Sequence, residues 1–317
     1  MYNNVYKIFV KKVKHMKRII NPKILFIISM IIFGTIGLLI KNISLSSGEI
    51  ALYRAVLAAI LILGYLLITK QKIPFKAIKK EIPLLLFSGI AMGFNWILLF
   101  ESYKYTTISV STLSYYFAPV IVTLISPFLF KEKMTIKQWI CFVMSTLGIV
   151  LITGIGDTST GKNHFLGITF GLGAAVLYAT VILTNKFIKG VEGIHRTFLQ
   201  FLAAIIVLVP YVGFTSGFNI HTLNFSGFGL LLILGFVHTG ITYCLYFSSL
   251  KEIPGQKVAI LSYIDPLVAV IISVTILSEE LTLMQGIGGL LIIGFTLWNE
   301  ISINKNNNID NNIDNNI

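Results

Sequence analysis

Asp265 stands beside Pro266 inside an apolar run, YIDPLVAVIISV. A carboxylate at such a depth in apolar surroundings is costly, and where it persists it marks a substrate or ion pathway by default. Two chemistries suit it: binding of a coupling proton, or contact with a cationic part of a substrate. A structural pair with Arg54, Lys186 or His238 is the alternative. Arg54 lies in another apolar run, and its guanidinium fork suits capture of a substrate carboxylate. It could equally snorkel outward along its stem, or pair with Glu49 or Glu101. Glu101 is itself an alternative proton or cation site. His238 is either a pH-sensitive group or a packing residue.

Polar residues also recur at helical spacing within apolar runs, which puts them on shared faces. One face carries His238, Thr242, Tyr246 and Ser249, with Tyr243 beside it; another carries Ser88, Met92, Asn95 and Ser102, with Trp96 beside it. Two more carry Ser262, Asp265, Ala269 and Ser273, and Ser111, Tyr115, Ala118 and Val122. A carrier needs such a lining, because a desolvated solute must replace its lost water contacts. The alternative is helix-to-helix packing, which small and hydroxylated residues routinely serve in membranes. Tyr115, Tyr116 and Tyr178 are candidate aromatic walls, with interfacial or packing roles as the alternative. Pro119 and Pro266 each remove a backbone donor and predict irregular helix at that depth.

The elements that must position these residues are membrane helices. The chain of 317 residues is 55% hydrophobic and 12% charged, with a mean hydropathy of +0.84. That is too little charge to cover a soluble surface. About 20 apolar residues cross the hydrocarbon core as a helix. Ten candidate spans are predicted, at residues 24–40, 50–69, 82–100, 108–130, 137–154, 165–185, 197–214, 226–248, 257–277 and 283–299. With the N-terminus in the cytoplasm, 21 of the 25 lysines and arginines fall on inside segments. This asymmetry predicts both termini inside; the expected location is the cell membrane of a bacterium. The net charge of +12 therefore reflects orientation, not nucleic-acid binding. Cys141 and Cys244 both sit in apolar runs and read as packing residues, not as a disulfide or metal site.

The sequence also repeats itself. Tyr116 to Thr135 (YFAPVIVTLISPFLFKEKMT) aligns without a gap on Tyr263 to Thr282 (YIDPLVAVIISVTILSEELT), at an offset of 147 residues with six of twenty identical. Gly93 matches Gly240, Trp96 matches Tyr243, Phe100 matches Phe247 and Ser102 matches Ser249. Each copy holds five spans, an odd number, so the second must enter the membrane upside down. Inverted repeats of this kind build secondary transporters with a site near the midplane. Thr135 with Gln138, and Thr282 with Gln285, form predicted capping boxes before spans five and ten. Glu132 and Glu279 beside them are read as structural. Within this symmetry, Ala118 becomes Asp265, so the scaffold is doubled while the chemistry is carried by one half.

These features resemble the EamA-domain family of the drug/metabolite transporter (DMT) superfamily. The residues carrying the resemblance are Glu49-Ile-Ala-Leu-Tyr-Arg54-Ala-Val-Leu-Ala-Ala59, Glu101 through Ser111, Ala118-Pro119 with Phe130 through Thr135, and Asp265-Pro266 with Glu279-Glu280-Leu281-Thr282. The resemblance implies an all-α integral membrane protein of ten helices in two inverted five-helix repeats, at 24–155 and 165–300. A basic cytoplasmic segment, 1–23, and an Asn-rich tail, 301–317, expected to be disordered, flank them. It further implies alternating-access transport of small metabolites, with export of amino acids or related compounds expected. A drug or other organic-solute permease is the alternative within the fold, and a non-transporting membrane ligand sensor the alternative outside it. No GxxxxGK[ST] loop is present, so the expected energy source is a proton or substrate gradient. Five scattered histidines, two lone cysteines and no HExxH argue against an intramembrane enzyme. No cofactor is expected. Gly286, Gly288 and Gly289 allow close packing, within one subunit or between two.

Overall fold

The computed structural model describes residues 21–71, 75–130, 134–153, 162–191, 193–250, 253 and 261–314. The basic N-terminal stretch before residue 21, Glu132 and the start of span nine lie outside them. The described helices are α1 (Pro22–Gly34), α2 (Ile36–Lys41), α3 (Ser47–Ile68), α4 (Phe75–Tyr105), α5 (Ile108–Tyr115), α6 (Ala118–Phe130), α7 (Ile136–Thr153), α8 (Lys162–Phe187) and α9 (Gly193–Thr215). They are followed by α10 (Phe225–Leu232), a π segment (Ile233–Ile241), α11 (Thr242–Leu250), α12 (Ile264–Thr275) and α13 (Leu283–Asp314). No strand occurs among the described residues.

Local sequence explains where the helices start. Pro22 opens α1 while Asn21 accepts from the Lys23 N–H, and Ser46 with Glu49 forms a full capping box on α3. Both boxes predicted from the repeat are present. Thr135 N–H donates to Gln138 Oε1 at 2.7 Å and Gln138 N–H returns to Thr135 Oγ1 at 3.3 Å. The Thr282–Gln285 pair shows the same exchange at 3.1 and 3.2 Å. The last helix runs on to Asp314, through the Asn-rich tail expected to be disordered.

Seven stretches are long and apolar enough to cross a membrane, and three shorter apolar helices occupy the remaining predicted positions, Ile136–Ile152, Ile264–Thr275 and Leu283–Asn299. Spans one, four and nine are interrupted where the sequence predicted single segments. Span one bends at Thr35, between α1 and α2. Span four breaks at Tyr116 and Phe117, and α12 starts after Tyr263. Tyr116 and Tyr263 are the same position of the repeat, two and three residues ahead of Ala118-Pro119 and Asp265-Pro266. A proline lacks the N–H its helix needs and crowds the preceding turn, so the helix yields there twice.

The packing carries the internal symmetry. α4 packs on α8 and α9; the corresponding pairs one repeat later are α11 on α1 and the π segment on α3. α5 and α6 pack on α8 as α12 packs on α1. α3 with α9 and α7 with α13 join equivalent helices across the axis, and α5 with α12 joins opposite halves of the equivalent spans four and nine. The α7–α13 pair stands to one side. There a Cβ on Gly148 would lie 2.6 Å from the Gly288 carbonyl oxygen, and one on Gly288 2.5 Å from that of Gly148. Such closeness requires glycine on both helices. Gly288 therefore packs within the subunit, as does Gly289 against Leu113, whereas Gly286 meets nothing.

Candidate functional site

A ring of tyrosines occupies the middle of the bundle where the broken helices meet. Tyr115 stacks on Tyr178 with centroids 5.2 Å apart, and Tyr116 stands edge-on to Tyr115 at 6.0 Å. Tyr116 faces Tyr263, its repeat partner, at 6.5 Å. On the other side Tyr243 and Tyr246 gather around Phe33 and Phe247. Protein surrounds these rings on all sides, yet they are only partly covered, Tyr178 being 39% exposed. Central position with residual exposure describes the wall of an internal chamber.

Asp265 belongs to this wall. It is partly exposed in the first turn of α12, and the Tyr116 hydroxyl donates to its Oδ2 at 2.6 Å. The other carboxylate oxygen has no hydrogen-bond donor among the described residues. The two structural partners weighed for it within the bundle are engaged elsewhere. Arg54 bonds to Thr239, and His238 Nε2 lies 2.7 Å from the Thr35 hydroxyl.

Arg54 does not snorkel. It is 3% exposed, with its guanidinium carbon 4.5 Å from the centre of the Trp96 ring and 5.4 Å from that of Phe100. These faces supply cation–π attraction. Its Nε donates to Thr239 Oγ1 at 3.0 Å, and no acidic side chain pairs with it among the described residues. Glu49 is spent on the α3 cap and on Asn219, whose backbone N–H it accepts at 2.5 Å; Glu101 lies 3.2 Å from Lys104 at the bundle end. Tyr115 and Tyr243 are within electrostatic reach of both Arg54 and Asp265, which places the two charges on one chamber.

The remaining sequence candidates sort by depth. Asn95 is buried, donating from Nδ2 to the Ala174 carbonyl at 2.6 Å, and it also neighbours the Tyr115 hydroxyl. Trp96 is buried between Arg54 and Phe201. Both support the wall from behind. Thr242 is fully buried and its hydroxyl returns to the Val237 carbonyl, so it faces its own helix and not the chamber. Glu101 is remote from the other candidates.

Sequence reasoning missed Thr239, the acceptor that fixes Arg54. The π segment is the cause. Thr239 and Thr242 bond back five residues, to Leu234 and Val237, in a widened turn that shifts the face after residue 233. A search at spacings of three and four passes over Thr239. Gly235 and Gly240, which let this segment press on Leu57 and Leu61 of α3, were the readable signal.

Comparison with known proteins agrees with this architecture. The model of the EamA-like transporter family matches residues 22–154 and again 165–299. The Bacillus subtilis (strain 168) protein named uncharacterized transporter YxxF is 32% identical over 84% of this chain and 85% of its own length. Uncharacterized transporter YdfC of the same organism is 25% identical over 82% and 84%, and an Archaeoglobus fulgidus uncharacterized transporter 26% identical over 86% and 95%. A solved crystal structure at 14% identity superposes with a TM-score of 0.62, over 89% of this chain and 97% of that one, and shows likeness of fold.

Proposed function

Because this chain belongs to the EamA-like transporter family, we propose that it carries small amphoteric metabolites, amino acids or related compounds, out of the cell by alternating access. The chain is a multi-pass membrane protein of a transporter family; substrate class, direction and mechanism are the proposal. The observation that carries it is Arg54, a buried guanidinium beside the chamber with no acidic partner among the described residues. A buried charge is stable when a partner offsets its lost hydration. A substrate carboxylate meeting the unspent guanidinium edge would be that partner. Asp265 then receives either the ammonium end of the same solute or a coupling proton. The outward direction follows the habit of the family.

Support for ten inverted spans comes from which loops meet. Ser46 meets Ser216, Thr106 meets His164, and His164 meets Gln285, all on segments the charge pattern places outside. Glu81 instead accepts from the Lys189 and Gly190 N–H groups, on segments placed inside.

Counterflow in proteoliposomes tests the reading, using pooled amino acids and pooled carboxylate-free amines, with and without a pH gradient. Accumulation of a carboxylate-bearing pool that Arg54→Gln abolishes is expected. Uptake of the amine pool alone, undiminished in Arg54→Gln, would transfer the reading to an organic-cation permease, for which the tyrosines around Asp265 are suited.

A further inference from the structure

At one end of the bundle, a carboxylate that the chamber does not use joins three spans. Glu279 follows α12, and its Oε2 accepts the backbone N–H of Ile108, the first residue of α5, at 2.8 Å. The Ser273 hydroxyl, in the last turn of α12, donates to the same oxygen, while Ser273 Oγ accepts the Ser109 N–H at 3.3 Å. The other oxygen, Oε1, pairs with Lys41 at the end of α2. One side chain thus joins the ends of spans one, four and nine. One of its donors, the Ile108 N–H, is an otherwise orphaned group at the positive end of α5, where a carboxylate is favoured.

The tie lies directly over the chamber. Ile108 precedes Tyr116 by eight residues on span four, and Ser273 follows Asp265 by eight on α12. Eight residues of helix rise about 12 Å. Residues 108–114 of span four, on the tied side, are all buried, while residues 121–127, on the far side of the break, are all partly exposed. Span four is thus buried towards Glu279 and partly exposed the other way. At the opposite end Glu81 to Lys189 and Gly190, and Gln200 to Ser88 and Asn185, join α4, α8 and α9, while Asn299 Nδ2 of α13 donates to Thr123 Oγ1 of α6 at 2.9 Å; none of these joins α6 to α12.

We propose that Glu279, with Lys41 and Ser273, is the latch of the gate on this face, and that its release from the α5 N-terminus lets α5 and α12 part to open the chamber there. This rests on the transporter role and not on any substrate. Glu279 therefore contributes to transport by holding one of two access states, not by touching solute.

The test uses thiol accessibility in the full chain with Cys141 and Cys244 replaced by serine. Two reporters are made singly: Ser109→Cys, buried under the latch, and Ser126→Cys, on the open half of span four. A membrane-impermeant maleimide is applied to each face in turn, in right-side-out and inside-out vesicles. With the latch intact, Ser109→Cys stays unlabelled from the Glu279 face and Ser126→Cys labels from the other. Adding Glu279→Gln is expected to raise labelling at 109 roughly tenfold or more, the factor for losing a charge-assisted hydrogen bond, and to lower labelling at 126. Lys41→Ala, which leaves the helix cap intact, moves both reporters the same way by less. Labelling at 109 that does not change overturns the proposal. So does a rise at 109 with no fall at 126, which is local fraying instead of a gate. Neither result bears on whether Arg54 binds a carboxylate.

Discussion

Arg54 and Thr239 show what one hydrogen bond does in a chamber of this kind. With Nε held by Thr239 and one face covered by Trp96, the guanidinium's other edge has no hydrogen-bond partner among the described residues, and a substrate carboxylate is proposed to meet it. Arg54→Lys retains charge but loses the fork, so carboxylate counterflow should fall about ten- to hundredfold, the worth of charge-assisted hydrogen bonds. Thr239→Val, near-isosteric, should raise the half-saturating concentration more than it lowers the maximal rate, because the cation remains but is no longer aimed. Thr239→Ser should restore it. For Asp265, the expected outcome of Asp265→Asn is flux that no longer responds to an imposed pH gradient; an unchanged response would assign it to structure. Of these residues the sequence exposed Asp265 and Arg54, because charge in an apolar run is conspicuous. It hid Thr239, because hydroxyls in such runs are common and a π turn alters the face they occupy.

Among elements, the π segment on α3, the α7–α13 pair and α4 on α9 at Gly89 are all tight fits. A Cβ at Gly235 would sit 2.5 Å from the Leu57 side chain, and α3 cannot retreat without moving Arg54. Gly235→Ala should destabilise the protein by about 1–3 kcal/mol, as overpacking does, read as a lowered midpoint in detergent thermal unfolding. Gly64→Ala, with nothing within 4 Å, should leave the midpoint unchanged or raise it. The helices themselves were largely legible, since long apolar runs and capping boxes are local signals. Their interruptions were legible only in part. Pro119 and Pro266 marked irregularity, but Thr35 carries no such signal, and the widened turn at 233–241 is marked only by Gly235 and Gly240, which tell of close packing and not of a π turn.

At the scale of the whole molecule, the loop contacts and the charge pattern make the same statement about sidedness. Lys104→Cys and Lys189→Cys, in the cysteine-free chain, should label from opposite faces of the membrane; labelling from one face would remove the inverted arrangement. The two-fold relation of the halves was readable from the 147-residue offset, and it reappears as matched helix neighbours. Spans four, eight and nine were readable as lining from Tyr115, Tyr116, Tyr243, Tyr246 and Asp265, but not that the α7–α13 pair stands aside, because that depends on long-range packing.

The two charges of the chamber do not obey the symmetry. Arg54 corresponds to Phe201 in the second half, and Asp265 to Ala118 in the first. A pair made from the first half alone would hold two arginines and no aspartate, and a pair from the second two aspartates and no arginine. Neither could offset its own charge or grip both ends of an amphoteric solute. If the chamber carries an amphoteric solute as proposed, its two unlike charges would hold that solute one way round, so that it would travel without turning over.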